Sequence, residues 1–419
     1  LENAGKNDKF NLKPTVFVLF QVKIARLKDK PALIFFFPIN LGDFLTLISS
    51  GSYGCTYIVG DVHGEIDPFE AALACLNPTD TLIIAGDLID RGRRGVQPST
   101  TFVLDKIIAL NSAPPGMAPR IYAVKGNHEK YFLDVLHTLK LESEHYEKNN
   151  IDNLKPFIKY GGAWLFKYPD AKQTKEFHTH CLNYSFGRDL KTSEWFIDRF
   201  IEKMLNSPNI YDYVTDSVAT YQEYIESLPY IIQLNEDETI AWVAHADLIF
   251  SDEELDAKFK SGKGLTMPEI KYMTEVRPEK FKTSARNASS NVVYCGHNII
   301  DGPSCIREYP RMPVRKNTNH INLDVGAYLN KALLLLNHTQ SRTQIVGQHS
   351  EILIYAKTAI DRYLSEQFLM RSSFVKNPLQ QIGFFMTQYA ITSQQEDTTH
   401  HTHRTDDHLS RPGSCCSIS

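Results

Sequence analysis

Gly60-Asp61-Val62-His63-Gly64 closes the short apolar run Thr56 to Val59, and the same construction recurs down the chain. Thr81 to Ala85 ends in Gly86-Asp87-Leu88-Ile89-Asp90-Arg91-Gly92, and Ile121 to Val124 leads through Lys125 into Gly126-Asn127-His128-Glu129. Thr239 to Ala244 ends in His245-Ala246-Asp247, and Asn291 to Cys295 in Gly296-His297. Short β-rich runs bounded in this way predict strands. Polar side chains at the strand ends of one sheet converge on one edge, where α/β folds place their sites. Glycine at the junction lets the backbone turn sharply and leaves room for an ion or substrate.

Between these strands the spacing turns helical. Asp67-Pro68 reads as a cap and first-turn proline opening a helix through Leu76, Val103, Ile107 and Leu110 share one helical face, and Phe132, Val135, Leu136 and Leu139 repeat the period after His128. His320 to Leu323 and Ala332 to Leu336 predict a last pair of strands. The layout is β-α-β-α-β with a later all-strand contribution, hence an α/β fold.

The 419 residues exceed what one compact core usually accommodates, so one main domain with appendages is expected. Residues 1–54 form an N-terminal extension with two apolar runs, 14–20 and 31–49, the longer of which is interrupted by Pro38, Gly42 and Asp43 before it makes a clean membrane span. Residues 55–340 form the catalytic domain, with a helical insertion over about 140–228 that packs near the site. Residues 341–391 make a helical C-terminal extension, and 392–419 a solvated, disordered tail. A hydrophobic share of 42% and a charged share of 22% exclude a wholly disordered, collagenous or coiled-coil chain. The net charge of −4 supplies no positive field for nucleic acid, so no nucleic-acid partner is expected. The seven cysteines contain no C-x-x-C pair that would mark a zinc ribbon or redox site.

The strand-end donors are two carboxylates (Asp61, Asp87), one amide oxygen (Asn127) and three imidazoles (His63, His245, His297), with no thiolate. Mixed oxygen and imidazole donors suit manganese, iron or zinc in a catalytic rather than a structural site. Six donors are too many for one ion with an open position but suit two ions sharing a carboxylate, a pair about 3.5–4 Å apart that serves in-line phosphoryl displacement. Hydrolysis of a phosphate ester is the chemistry implied.

In order, GDVHG, GDLIDRG and GNHE, followed by the two late histidines, resemble the metal-dependent phosphoprotein phosphatases of the calcineurin-like metallophosphoesterase superfamily, particularly compact bacterial and phage-type members. Tyr160-Gly161-Gly162-Ala163-Trp164 and the Leu228 to Leu234 stretch LPYIIQL extend the similarity, which covers about residues 56–337. The resemblance implies a β-sandwich flanked by helices and a protein phosphatase acting on phosphoserine or phosphothreonine, with phosphotyrosine as an extension. It implies two divalent ions, manganese first: Asp61, His63 and Asp87 would hold one, and Asp87, Asn127, His245 and His297 the other. Attack would come from a metal-bridging hydroxide, with His128 as general acid and Asp90 orienting it. Arg91 and Asn127 would contact substrate phosphate. Lys125 stands where the family usually has arginine, keeping charge but losing the bidentate fork. The second phosphate-binding arginine has no unambiguous match; Arg277 is the first candidate and Arg286 the second.

Two other readings stay open: a hydrolase of dinucleoside polyphosphates or other small phosphate esters, and a non-catalytic, membrane-tethered binding module. The C-terminal Cys416-Ser417-Ile418-Ser419 fits a prenylation signal, and the neighbouring Cys415 could take a second acyl chain. Together with a bacterial-type core, this signal leads us to expect a cytoplasmic protein delivered into a eukaryotic host and associated there with membrane through its C-terminal lipid.

Overall fold

The computed structural model describes residues 54–91, 99–142, 154–185, 187–236, 239–261, 264–277, 291–302, 311–314 and 319–372, together with the backbone of 45–49. Its strands are β1 (Leu45–Ser49), β2 (Thr56–Val59), β3 (Thr81–Ile84), β4 (Arg120–Ala123), β5 (Ile231–Glu236), β6 (Thr239–Ala244), β7 (Val292–Cys295), β8 (His320–Asn322), β9 (Ala332–Asn337) and β10 (Arg342–Gly347). Its helices are α1 (Ile66–Leu73), α2 (Ser99–Ser112), α3 (Asn127–Glu142), α4 (Leu154–Lys159), α5 (Ala171–Ser185), α6 (Leu190–Leu205), α7 (Val218–Ser227), α8 (Asp252–Ser261), α9 (Met267–Glu275), α10 (Ala327–Asn330) and α11 (Glu351–Ser372).

The strands make two five-stranded sheets, ordered β10-β9-β2-β3-β4 and β1-β5-β6-β7-β8. Side chains alternate across the first: Tyr57, Val59, Leu82, Ile84, Leu333 and Leu335 face the helices, whereas Ile58, Ile83, Leu334 and Leu336 face the second sheet. The second sheet answers with Ile232, Leu234, Ala241, Val243 and Tyr294 inward, and with Ile231, Trp242 and Val293 outward against Leu255 of α8 and Met273 of α9. Burial on both faces is why these strands read as near-continuous apolar runs. The α/β sandwich flanked by helices is the fold expected from the sequence.

Parallel pairing positions the site. β2 pairs with β3 and β3 with β4 in parallel, and so do β6 with β7 and β7 with β8. Each trio therefore delivers its C-terminal ends to one edge, with α1 and α2 as the crossovers that parallel strands require.

Several boundaries differ from the expectation. Asp67 sits in the first turn of α1 while Glu65 holds the cap, and α1 ends at Leu73. The backbone of β1, from within the stretch read as an extension, pairs in parallel with β5. Among the described residues no helix is long and apolar enough to cross a membrane. The insertion carries helices α4 to α7, packed around an aromatic core in which Phe177 stacks on Phe200 at 4.0 Å. α11 adds Leu353, Ala356, Ile360 and Leu364 to the inter-sheet core, and its Asp361 accepts the backbone N–H of Thr343 in β10 at 2.7 Å.

Candidate active site

Where β2 and β3 end, the two following turns are knitted together. The His63 N–H donates to the Asp87 carbonyl and the Gly64 N–H to the Leu88 carbonyl, both at 2.8 Å. Here the backbone is left-handed at residues other than glycine: His63 (φ 49°), Asp87 (47°), Asp90 (69°) and Arg91 (55°), with His297 (66°) beyond β7. Such conformations cost on the order of 1 kcal/mol or more each and gather at functional sites.

The imidazoles are oriented by backbone carbonyls, which can only accept. Nδ1–H of His63 donates to Ile89 O at 3.1 Å, which turns Nε2 toward Asp61 Oδ2 (3.6 Å) and Asp87 Oδ2 (3.7 Å). Nδ1–H of His245 donates to Ala85 O at 2.7 Å, and its Nε2 faces Asn127 Oδ1 at 3.0 Å and Asp87 Oδ1 at 3.3 Å. His297 donates its backbone N–H to Asp61 Oδ1 at 2.9 Å, while its own buried Nε2 has no hydrogen-bond partner among the described residues. Two groups result, His63-Asp87-His128 and Asp87-His245-His297, each with ligand atoms within 4.8 Å of one another; Asp87 belongs to both.

Burial sets the electrostatics. Asp61, His63, Asp87 and His245 expose 2% of their surface or less. Burial pushes the Asp61 carboxyl well up, and the neighbouring Asp324 pushes it further. At Asp87 burial acts in the same direction, but His245 and His128 outweigh it and hold that carboxyl well below its ordinary range. His63 is driven well down by burial and by Arg91, and His297 by burial and by His245, so both rings are held neutral as metal ligands must be. For His245 burial opposes the charged form, yet Asp87 and Asp61 prevail and raise it to about 10. Crowded buried carboxylates, neutral imidazoles and an orphaned ring nitrogen are what cations would satisfy. Both groups could therefore hold a divalent ion.

Three glycines keep this space clear. A Cβ at Gly296 would lie 2.1 Å from Asp61 Oδ1, one at Gly126 2.2 Å from Asp87 Oδ1, and one at Gly86 2.5 Å from His245 Nδ1.

Beside the donors lies a buried imidazole–carboxylate pair. His128 is in the first turn of α3, its backbone N–H donates to Asp87 Oδ1 at 3.1 Å, and its Nδ1 meets Asp90 Oδ2 at 2.8 Å. Trp164 Nε1–H donates to the other Asp90 oxygen at 2.6 Å. The helical insertion thus reaches the sheet edge that carries the donors. Gly161 (φ 105°) makes the approach possible, because a Cβ there would fall 2.3 Å from Arg91 N. Arg91 itself is fixed by Tyr328, whose hydroxyl accepts from NH1 at 2.9 Å and whose ring lies 5.0 Å from the guanidinium.

The remaining sequence candidates are placed differently. Lys125 is buried, donates from Nζ to Glu226 O at 3.1 Å at the end of α7, and lies over the Tyr230 ring. Arg277, partly buried, is near enough to His297 to help depress its imidazole. Arg286, Cys415 and Cys416 lie outside the described residues.

Glu129 and Asp324 have roles that motif reading did not assign. Glu129 accepts four backbone N–H groups, from Asp87, Leu88, Ile89 and Gly126, and so clamps the two ligand loops. Asp324 follows β8 and is raised to about 6 by burial, against the Gly326 N–H and Arg91. Its signal was present: Leu323-Asp324-Val325-Gly326 repeats the strand-then-carboxylate construction of the other loops.

Comparison with known proteins agrees with this geometry. Residues 56–256 match the family model described as calcineurin-like phosphoesterase. Serine/threonine-protein phosphatase 2 of Escherichia coli (strain K12) is 27% identical over 191 residues, 38% of this chain and 75% of that protein. A symmetrical bis(5'-nucleosyl)-tetraphosphatase of Wigglesworthia glossinidia brevipalpis is 32% identical over 123 residues, 29% of this chain and only 40% of that protein. A solved protein serine/threonine phosphatase from Saccharomyces cerevisiae aligns with 74% of this chain and 85% of its own, at 12% identity and a TM-score of 0.34. The motifs GDVHG, GDLIDRG and GNHE and the first of the two late histidines, His245, all fall within residues 56–256, the stretch that is similar to the calcineurin-like phosphoesterase family.

Proposed function

We propose that the chain is a metal-dependent phosphoprotein phosphatase that hydrolyses phosphate monoesters on protein side chains. Asp61, His63 and Asp87 would hold one divalent ion, and Asp87, Asn127, His245 and His297 the second. Two such cations, manganese first and iron or zinc as alternatives, supply Lewis acidity and an activated water for attack on phosphorus.

The observation that carries the reading is the buried His128–Asp90 pair, joined at 2.8 Å, with His128 Nε2 3.8 Å from Asp87 Oδ2. A protonated His128 held there donates to the departing oxygen at Nε2, while Asp90 receives Nδ1–H and supports the positive charge before transfer. Trp164 fixes the Asp90 carboxylate so that its other oxygen stays aimed at the ring. Arg91, held by Tyr328, offers its planar fork to the phosphoryl oxygens. Arg277 adds positive charge on the His297 side, and Lys125 supports the loop before Asn127 from the end of α7.

The 75% coverage of the E. coli phosphatase supports a protein substrate. The higher identity to a symmetrical tetraphosphatase over a shorter stretch supports the second reading, hydrolysis of a dinucleoside polyphosphate. Manganese-dependent phosphate release from a panel of phosphopeptides, set against a dinucleoside tetraphosphate, tests the choice. Turnover of peptides is expected, and turnover of the dinucleotide alone would reverse it.

A further inference from the structure

Two tyrosines flank the proton donor and take no part in the mechanism above. The Tyr131 ring lies 6.5 Å from the His128 ring and the Tyr160 ring 6.2 Å from it, both edge-on, and the two tyrosine rings are within 13° of parallel. Tyr160 is 44% exposed although it sits at the catalytic edge. Its position is not loose. Its backbone N–H donates to Pro156 O at 2.9 Å, Gly161 next to it packs against the Arg91 backbone, and Trp164 is tied to Asp90. An exposed aromatic ring anchored this firmly beside a general acid is placed to touch whatever leaves.

We propose that Tyr131 and Tyr160 form an aromatic seat for the leaving group, which adapts the site to aryl phosphate monoesters, phosphotyrosine in a peptide. The inference rests on the phosphomonoesterase reading of the site. A general acid stands about 3 Å from the leaving oxygen, and aromatic rings engage one another at roughly 4.5–7 Å between centroids. In an aryl ester the ring is bonded directly to that oxygen, so it falls within reach of rings that surround the His128 imidazole. A seryl ester presents one methylene there, with no face to stack. A dinucleoside polyphosphate presents a further phosphate and a ribose before its base, which carries the base beyond this pair. In the reaction the P–O bond to the phenolic oxygen breaks and the water oxygen bonds to phosphorus. The His128 proton goes to the phenolate, and the proton lost by water restores the acid after release.

Aryl esters are intrinsically more reactive, so the test is a change of selectivity rather than the selectivity itself. Matched phosphotyrosyl and phosphoseryl peptides are assayed with the full chain and manganese, as wild type, Tyr160→Ala, Tyr160→Phe and Tyr131→Leu. Tyr160→Ala and Tyr131→Leu are expected to lower kcat/KM for the phosphotyrosyl peptide about 5- to 10-fold while the phosphoseryl value stays within about 2-fold, the loss expected when one ring contact is removed. Tyr160→Phe keeps the ring and retains activity on both peptides. A parallel fall on both peptides, or an unchanged ratio in both truncations, overturns the aromatic seat while leaving the phosphatase reading intact. Absence of turnover on either peptide by the wild type, with dinucleoside tetraphosphate cleaved, overturns both.

Discussion

Glu129 Oε2 accepts the backbone N–H of Asp87 at 2.9 Å, and the same oxygen accepts Gly126 N–H at 2.9 Å. A fully buried carboxylate thereby joins the loop after β3, where Asp87 is left-handed, to the loop after β4.

Replacing this carboxylate by an amide turns N–H donors against N–H donors. Glu129→Gln is expected to lower folding stability by about 2–4 kcal/mol, because at least two buried backbone donors lose their acceptor. Urea denaturation with and without manganese checks this. The loss should be larger with metal present, since the variant also displaces Asp87.

The metal-free chain should lose stability as pH rises above neutrality. His245 is raised to about 10 in the folded state from an ordinary 6.5, so its charged form stabilises the fold fully below 6.5 and that stabilisation drains away as pH climbs toward 10. The slope is on the order of 1 kcal/mol per pH unit, the value for one proton. His63 and His297 are shifted the other way, so their contribution is complete above 6.5 and does not mask the effect. Denaturation curves from about pH 7 to pH 9 in chelator should show the decline, and manganese should abolish it by holding His245 neutral.

Glycine 296 separates folding from metal binding. The added methyl of Gly296→Ala would meet Asp61 Oδ1 at 2.1 Å. The variant should fold yet lose the stabilisation expected of manganese in the wild type, about 2.7 kcal/mol for one site with ligand at a hundred times Kd, read as a shift in melting temperature. An undiminished manganese shift would show that Asp61 is not a ligand.

Trp164→Phe removes one hydrogen bond, Nε1 to Asp90 Oδ1, and keeps an aromatic ring against Phe132. Turnover should fall roughly 10- to 100-fold, the worth of a hydrogen bond to a charged group, with KM and manganese affinity little changed. An equal effect on KM would mean that Trp164 acts on substrate binding.

Much of this was legible because the informative residues are local. Five strand-to-loop junctions carry their donors within four residues of an apolar run, so Asp61, His63, Asp87, Asn127, His245 and His297 could be brought together from parallel-sheet geometry alone. β10 escaped notice because Arg342–Gly347 is an edge strand, exposed at Arg342, Gln344 and Gly347 with Thr343 as one of its buried residues, and such a stretch reads as loop. The backbone of β1 pairs with β5 from within a run that composition alone assigns to an extension. Glu129 sat in the GNHE motif, but its four donors come from positions up to 42 residues away, a contact no local pattern encodes. The reach of Trp164 to Asp90, across 74 residues, depends on how the insertion folds back and was equally out of view.

The most direct measurement is manganese stoichiometry and aryl phosphate turnover, made together on the wild type and on Asp87→Asn, the one residue common to both donor groups. The wild type should bind two ions per chain and hydrolyse the ester only when loaded, while Asp87→Asn should lose high-affinity binding at both positions together with activity. Metal-independent hydrolysis by the wild type, or two tightly held ions and full turnover in Asp87→Asn, would contradict a shared two-ion centre.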